Sequence, residues 1–379
     1  MKKKVLIFID WYLPGYKAGG PVQSISNMVE HLKEEFDFSI ITRNTDYCER
    51  TPYSNILSNQ WNALSNGIKV FYFSEEELTY TNIRNLIRKT DYDYVYLNGI
   101  YSLYFTLIPL FYLRKKHNKT IVIAARGMFS EGSLSVKKMK KRIFIRSVKV
   151  LRFFDKVIFH ATSEAEKREI RAVMGENVAI KTAAVLPQRF AMTELALRNK
   201  KVNCVRLVNI ARIAPEKNTL YALQILKLVK QNVEFDFYGP IYNEDYWAQC
   251  QQALTELPIN VKARYKGSLE SNKVLDVLSF YDFMFMPTTG ENFGHIILQS
   301  LAVGRPIIIS DKTHWKNLTE KRIGWDIVLS ESLEFARIID FTAKMKASDY
   351  NILSKAAYDY GQKYINNKEL IEQNRHLFS

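Results

Sequence analysis

The chain has 379 residues, of which 47% are hydrophobic and 25% charged, and its formal net charge is +15. This length exceeds what one hydrophobic core usually supports, so we expect two domains and no large disordered region. The positive charge predicts an acidic partner, such as nucleotide phosphates, anionic lipid or nucleic acid. The three cysteines, Cys48, Cys204 and Cys250, have no spacing typical of a disulfide framework or a zinc site.

No segment is long enough to cross a bilayer as a helix. The apolar run Val5 to Ile9 follows three lysines but is stopped by Asp10, which indicates a first buried strand rather than a signal peptide. The run Leu103 to Leu113 contains Pro109 and is shorter than the roughly 20 residues that a span requires. The sequence therefore predicts a protein that is not integral to a membrane.

Short apolar runs alternate with helical patterns, first in one half of the chain and then again in the other. This alternation is typical of parallel sheets wrapped by helices, so the predicted fold class is α/β with two Rossmann-like domains facing a central cleft. We assign residues 1–190 to an N-terminal acceptor-binding domain and 203–360 to a C-terminal donor-binding domain. A linker lies at about 186–202, and we expect 361–379 to form a C-terminal helix that packs back toward the N-terminal domain. The predicted strands are Val5–Ile9, Phe38–Thr42, Lys69–Phe73, Tyr94–Leu97, Thr120–Ala124, Val157–Ala161, Val205–Ile210, Val233–Tyr238, Val261–Tyr265, Phe283–Met286 and Pro306–Ser310.

Two helix starts can be predicted from local pattern. Apolar residues at helical spacing from Ile25 to Leu32 indicate a helix between the first two strands. Ser163 and Glu166 form a capping-box pattern directly after the strand that ends at Ala161. The loop before the first of these helices contains Gly19 and Gly20. This pair would let a phosphate approach the helix N-terminus, although a glycine pair alone is more often just a turn.

Two cations follow the first strand of the second half. Arg212 and Lys217 lie five positions apart at a strand-to-helix turn. Both could converge on one diphosphate, where a guanidinium fork and a compact ammonium would stabilise the charge of a leaving group. Taken alone, two solvated surface cations are an equally good interpretation.

A second group of polar residues follows the strand Phe283 to Met286. Glu291 lies in the loop, and Gln299 lies one turn into the predicted helix Ile296 to Val303. Helical side chains lean toward the amino end, so Gln299 can reach the groove that Glu291 lines. Backbone N–H groups near Phe293 would face an anion between them.

These segments resemble the donor site of glycosyltransferase family 4, whose members have the GT-B fold and a retaining mechanism. The family has an Arg and a Lys after the first strand of its second domain, and two glutamates with seven residues between them. Arg212, Lys217 and Glu291 match this pattern, in the settings A-R-x-x-P-E-K-N and G-E-N-F-G. The resemblance extends over nearly the whole chain, including the Gly19-Gly20 loop and Tyr238-Gly239-Pro240.

The resemblance implies a role for each matching residue. Arg212 and Lys217 would bind the diphosphate, Glu291 the hydroxyls of the donor sugar, and position 299 the ribose. Gln299 departs from the family's second glutamate and would bond a ribose hydroxyl without charge assistance. The Asn-Gly pair often found near the domain junction is also missing. The remaining predicted donor contacts are Gly19, Gly20, Gly239, Asn292, Phe293, Gly294 and His295, with the backbone N–H of His295 favoured over its ring.

Arg126 follows the strand Thr120 to Ala124, roughly where many relatives keep a histidine that faces the reacting sugar. Contact with a phosphate or acceptor and a structural ion pair are equally good interpretations of this arginine. Asp91 and Asp93 resemble the metal-binding acid pair of another class of sugar transferases, but they directly precede a strand. We therefore favour a turn for these two acids and predict no required metal and no cofactor.

The segment from Lys137 to Arg152 contains eight basic residues, no acid, and apolar residues near helical spacing. A solvated face, nucleic acid and an anionic membrane surface are the three interpretations of this helix. The membrane fits the family best, because many members act on lipid-linked acceptors, and no nucleic-acid-binding module accompanies the charge. We predict no nucleic-acid partner.

The function implied is that of a cytoplasmic retaining glycosyltransferase, held at the inner face of the cell membrane by the basic helix. It would move a hexose-type sugar from a UDP- or GDP-sugar to a saccharide or lipid-linked acceptor in surface glycan biosynthesis, such as lipopolysaccharide or capsule. Two alternatives are a catalytically silent GT-B scaffold that binds a partner or membrane, which Gln299 motivates, and a sugar-nucleotide epimerase on the same fold.

Overall fold

The computed structural model describes residues 2–64, 67–114, 119–130, 133–134, 138–189, 194–195 and 198–379. The chain divides into two compact units, each built on its own β-sheet. Unit 1 comprises Met1–Gln188 and Asn367–Ser379, and unit 2 comprises Arg189–Asn366. The predicted α/β class with parallel sheets is confirmed.

The sheet of unit 1 has eight strands in the described residues, in the order β3-β4-β2-β1-β5-β6-β7-β8. All neighbours run parallel except β3, which is antiparallel to β4. The strand order reverses between β1 and β5, which is where α/β sheets usually bind ligands. The strands are β1 (Lys3–Phe8), β2 (Phe36–Arg43), β3 (Trp61–Ala63), β4 (Lys69–Phe73), β5 (Tyr94–Asn98), β6 (Thr120–Ala124), β7 (Ile158–Ala161) and β8 (Ala179–Thr182).

Helices cover this sheet because their apolar faces are buried against it. The predicted helix after β1 is present, and its residues Ile25, Met28, Val29 and Leu32 are all buried. A π-helical turn, Leu103–Leu107, runs directly into the third helix. The helices are α1 (Gly20–Leu32), α2 (Tyr80–Lys89), α3 (Ile108–Leu113), α4 (Lys138–Val150) and α5 (Glu164–Met174).

The start of α5 confirms half of the predicted capping box. Ser163 is the N-cap, and its hydroxyl accepts a hydrogen bond from the N–H of Glu166 at 3.1 Å. The reciprocal bond of a capping box would run from the N-cap N–H of Ser163 to the Glu166 carboxylate, and this part of the prediction is wrong. The buried Glu166 carboxylate instead accepts from the backbone N–H of Thr162 at 2.7 Å and of Gly127 at 2.5 Å. Glu166 thereby ties Gly127, in the loop after β6, to Thr162, directly after β7.

The sheet of unit 2 is parallel throughout its described residues, with six strands in the order β11-β10-β9-β12-β13-β14. Its strand order reverses between β9 and β12. The strands are β9 (Cys204–Ile210), β10 (Asn232–Tyr238), β11 (Val261–Tyr265), β12 (Phe283–Met286), β13 (Ile307–Ser310) and β14 (Gly324–Ile327). The helices are α6 (Thr219–Leu226), α7 (Glu244–Thr255), α8 (Val274–Ser279), α9 (His295–Ala302), α10 (Ser332–Lys344) and α11 (Ala347–Ile365).

The last segment of the chain returns to unit 1. Helix α12 (Lys368–Arg375) carries Arg375, whose guanidinium forms an ion pair with Glu35. Phe378 is buried, with its ring centroid 5.3 Å from that of Phe36 and 5.8 Å from that of Tyr94. Residues 361–365 continue α11 in unit 2, so the segment that joins unit 1 begins at Asn367 rather than at residue 361.

Candidate functional site

Two loops meet where the strand order of unit 2 reverses. The first follows β9 and contains the short 3-10 turn Pro215–Lys217, and the second follows β12. The Asn218 side chain donates to the carbonyl of Pro287 at 2.9 Å, and the Thr288 hydroxyl donates to the carbonyl of Glu216 at 2.9 Å. These bonds bring together segments about 70 residues apart in the chain, as expected for strand ends at one sheet edge.

The structure places Lys217 directly against Glu291. The Lys217 ammonium and the Glu291 carboxylate form an ion pair, and the two side chains are only 16% and 15% exposed. Arg212 pairs with Glu216, with 3.3 Å between its Nη2 and the carboxylate Oε1. Both predicted cations therefore have carboxylate partners, and a phosphate that binds them would compete with these carboxylates.

The loop Asn292–Gly294 leads into α9, which begins at His295, one residue before the predicted start. Gly294 has a φ of 72°, and a Cβ there would lie 2.8 Å from Cδ1 of Ile297. Glycine is therefore required by the turn itself. His295 and Gln299 lie on the first turns of α9, and both are buried.

Phe293 is held by two residues that the sequence analysis did not single out. The Trp315 indole N–H donates to the Phe293 carbonyl at 2.6 Å, and the His314 ring stacks on Phe293 with centroids 5.5 Å apart. Burial lowers the pKa of His314 to about 4, so this imidazole is neutral near pH 7. His314 and Trp315 lie in the segment after β13 and support the loop from there. The only signal in the sequence for this supporting role is that both residues follow a predicted strand.

Gly239 follows β10 and has a structural reason to be glycine. Its φ is 146°, and a Cβ there would lie 1.9 Å from the carbonyl oxygen of Ala211. The close approach of the loops after β9 and β10 accounts for the residue type. Contact of Gly239 with a donor stays a prediction.

In unit 1, Arg126 is hydrogen-bonded to neutral groups. Its Nε donates to Oδ1 of Asn98 at 3.0 Å, and its Nη2 donates to the hydroxyl of Tyr96 at 2.9 Å. No ion pair of Arg126 occurs within the part of the chain that the structure describes. The sequence left open a structural ion pair for this arginine, and the structure shows hydrogen bonds to neutral groups in its place.

The network continues from Tyr96 to a buried histidine. The Tyr96 hydroxyl lies 2.8 Å from Nδ1 of His160, and Nε2 of His160 lies 2.7 Å from the carbonyl of Ala183. Burial, with a smaller contribution from Arg126, lowers the pKa of His160 to about 3. The ring is therefore neutral, and since Nε2 must donate to the carbonyl, Nδ1 accepts from Tyr96. Because the Tyr96 hydroxyl donates its proton to His160, its oxygen accepts the hydrogen bond from Nη2 of Arg126.

The other predicted residues of unit 1 lie apart from this network. Gly19 precedes α1 with a φ of 71°, and no atom lies within 4 Å of a Cβ built on Gly19 or Gly20. Asp91 pairs with the Lys4 ammonium at 2.6 Å, and Asp93 accepts from the Lys4 N–H at 2.8 Å. Among the described residues, no group of three or more His, Cys, Asp or Glu side chains is arranged to bind a metal.

The two parallel sheets with their helices form the GT-B fold. The chain is similar to Anabaena HepE in complex with UDP and glucose, at a TM-score of 0.71 and 15% identity over 99% of this chain and 98% of that chain. It is similar to sucrose-phosphate synthase from Thermosynechococcus elongatus at a TM-score of 0.73 and 14% identity, over 100% and 98% of the two chains. WaaG, a glycosyltransferase involved in lipopolysaccharide biosynthesis, gives 0.66 and 11% over 99% and 98%. At these identities the likeness establishes the fold.

The sequence itself identifies the class of enzyme. Residues 197–357 match the family model of glycosyl transferases group 1. The second half of the chain therefore contains a group 1 glycosyl transferase domain, and the protein is a glycosyltransferase. None of the curated proteins compared with the chain matches it.

Proposed function

We propose that this enzyme is a retaining glycosyltransferase of family 4 that moves a hexose-type sugar from a nucleoside diphosphate sugar to a saccharide or lipid-linked saccharide. The observation that carries the proposal is the meeting of Lys217 and Glu291, beside Arg212 and the start of α9, where the strand order of unit 2 reverses. This group lies within the matched glycosyl transferase segment. HepE has been crystallised with UDP-glucose, which favours UDP over GDP as the nucleotide.

Each residue has a role that its surroundings support. A diphosphate would take Lys217 and Arg212 from their carboxylate partners, and the positive end of α9 would face the same anion. The Glu291 carboxylate would then be available to sugar hydroxyls. Preorganised cations of this kind stabilise the charge that develops on a departing nucleoside diphosphate. In the proposed mechanism a donor phosphate oxygen takes the acceptor proton, so no protein base and no metal is required.

The test of this function is an assay of the purified protein with labelled UDP- and GDP-sugars and detergent-solubilised lipid-linked saccharides. We expect binding of at least one UDP-sugar and transfer with retention of the anomeric configuration, at a rate that EDTA does not change. A silent scaffold would bind no sugar nucleotide. An epimerase would convert the donor with no acceptor present, which would contradict the proposal.

The proposed acceptor is a lipid-linked saccharide because α4 offers a surface suited to a membrane. Met139, Ile143 and Val150 recur on the outer face of α4 and are 72%, 60% and 76% exposed. The opposite face packs inward through the buried Val148 and through Phe144, whose ring lies 5.1 Å from that of Tyr101. Exposed apolar residues flanked by Lys and Arg are typical of helices that lie in a membrane interface. Lys137, the first residue of the predicted basic segment, lies outside the described residues.

We infer a peripheral position on the cytoplasmic face of a membrane and a place in surface glycan assembly. The structure of WaaG, an enzyme of lipopolysaccharide biosynthesis, supports the second part by its similar fold. Within the described residues, no helix combines the length and apolar character needed to cross a bilayer. In this proposal α4 and its cations make the membrane contact.

Changing Lys140, Arg142 and Arg146 together to Gln is expected to weaken binding to vesicles that contain phosphatidylglycerol by about 100-fold, since each basic residue contributes about 1 kcal/mol. All three side chains are exposed, so the variant should fold normally. Cosedimentation with vesicles measures the effect. Lys262→Gln, at an exposed lysine of β11, is the matched control. Equal binding of the triple variant and the native protein would contradict the membrane role.

A further inference from the structure

Unit 1 contains a cavity that none of the predicted site residues lines. It has a volume of about 570 Å³ and lies at the carboxyl ends of β1, β2 and β4. This volume is within the usual range for pockets that bind small molecules. The lining residues that bear on its ligand are Trp11, Arg43, Asn44, Ser58, Glu75 and Glu76. All belong to unit 1, so the cavity is complete within that unit.

The wall of the cavity is fixed by a buried carboxylate. Asp46 accepts hydrogen bonds from the backbone N–H groups of Tyr16 at 3.0 Å, Lys17 at 3.2 Å and Tyr47 at 2.7 Å. These bonds join the loop before α1 to the segment after β2. The Trp11 ring meets the Tyr47 ring edge-on at 4.9 Å, which holds the indole in place. The cavity is therefore preorganised, with an aromatic surface on one side.

Arg43 supplies an unused hydrogen-bond donor. Its guanidinium carbon lies over the rings of Trp11, Tyr104 and Phe105, at 6.0, 5.7 and 5.5 Å from their centroids. Within the described residues its guanidinium forms no hydrogen bond or ion pair, and its Nε is a buried donor without a partner. A buried donor left without an acceptor is unfavourable, so a ligand oxygen that reached this guanidinium would bind favourably.

The rim of the cavity is acidic. Glu49, Glu75 and Glu76 are exposed there, and Glu49 is already paired with Lys17. One exposed cation, Arg50, opposes them. Inside the cavity, the amide of Asn44 donates to the Ser58 hydroxyl at 3.0 Å. Both side chains can donate and accept hydrogen bonds, as sugar hydroxyls do. The lining carboxylates Asp46, Glu49, Glu75 and Glu76 outnumber the two lining cations, Arg43 and Arg50, so the cavity as a whole disfavours an anionic ligand. Its interior combines the Trp11 ring and the neutral Asn44 and Ser58 side chains with the Arg43 guanidinium.

We propose that this cavity binds an uncharged sugar ring of the acceptor, with the apolar face of the ring against Trp11 and its hydroxyl oxygens toward Arg43. The inference rests on the proposed glycosyltransferase function, and it names the chemical class of the acceptor: a neutral glycoside, with hexuronates and sugar phosphates excluded. Binding here needs no donor and no transfer. The site can therefore be examined separately from the reaction.

The experiment measures binding of methyl glycosides of neutral hexoses and N-acetylhexosamines by saturation-transfer NMR, beside glucuronate and glucose 6-phosphate. At least one neutral glycoside should bind, and Trp11→Ala should weaken its binding by at least tenfold. Trp61→Ala removes an indole of unit 1 outside the cavity and should leave binding unchanged. Circular dichroism checks that both variants are folded.

A second variant tests the charge argument at exposed positions. Glu75→Gln combined with Glu76→Gln is expected to reduce the preference for the neutral glycoside over glucuronate by at least threefold. Absence of binding by every neutral glycoside, preferential binding of an anionic sugar, or unchanged binding by Trp11→Ala would each overturn the proposal. Failure of the enzymatic function looks different: the neutral glycoside would still bind in a Trp11-dependent way while no sugar nucleotide is consumed.

Discussion

Replacing Lys217 by alanine is expected to lower the rate of sugar transfer by about 100- to 1,000-fold, the usual cost of removing one preorganised donor to a developing charge. The ammonium lies against Glu291, where the loops after β9 and β12 are tied by hydrogen bonds. Its position is therefore set before any ligand binds. Transfer of labelled sugar at saturating donor, with kcat and KM determined separately, measures the loss.

A matched control and a rescue separate the catalytic effect from a loss of stability. Lys227→Ala removes a lysine that is paired with Glu256 just after the last residue of α6, and it should leave transfer unchanged. Lys217→Ala alone leaves the largely buried Glu291 carboxylate without its cation, which should lower the melting temperature. Adding Glu291→Gln should restore the melting temperature but not activity. Near-native transfer by Lys217→Ala would refute the assignment.

Gly239→Ala is expected to destabilise the protein by about 3 kcal/mol, because the backbone would have to move to admit a Cβ. In the native fold that Cβ would lie 1.9 Å from the carbonyl oxygen of Ala211, directly before Arg212. The same displacement would shift the loop that carries Arg212 and Lys217. Urea unfolding followed by circular dichroism measures the stability, and sugar-nucleotide titration measures the effect on the site.

Gly267→Ala is the matched control for this change. Gly267 also has a positive φ, of 80°, but no atom lies within 4 Å of a Cβ built on it. It should therefore show only the cost of a left-handed alanine, about 1 kcal/mol. Equal losses at positions 239 and 267 would show that conformational strain, and not the contact with Ala211, accounts for the requirement for glycine.

The strands that the sequence predicts and those it misses differ in how clearly an apolar pattern marks them. The buried apolar run Phe283–Met286 was predicted with its observed bounds, as were Lys69–Phe73, Thr120–Ala124 and Val261–Tyr265. The missed strands β3, β8 and β14 all lie at sheet edges, where only one neighbour pairs. None of the three contains a continuous run of buried apolar residues: β3 and β8 are partly or largely exposed, and the two buried residues of β14 are separated by two partly exposed ones. β11 is also an edge strand, but its apolar residues Val261, Ala263 and Tyr265 alternate with polar ones, and this period-2 pattern predicts it.

The candidate site shows a similar division. Arg212, Lys217 and Glu291 could be found because each follows a predicted strand, and parallel strands bring their ends to one edge. The pairing of Lys217 with Glu291, and the support of Phe293 by His314 and Trp315, depend on contacts between distant segments. The same holds for the hydrogen bonds of Arg126. A single sequence has no local pattern that predicts contacts between segments far apart in the chain.

The return of α12 and Phe378 to unit 1 has a consequence for synthesis of the protein. Domains that are continuous in sequence fold one after the other as they leave the ribosome. Here the aromatic cluster of Phe36, Phe38 and Tyr94 is completed by Phe378. Phe378 is translated only after all of unit 2. The nascent first unit therefore exposes an incomplete apolar surface while the second is being made, and unit 2 is the one that can finish folding first.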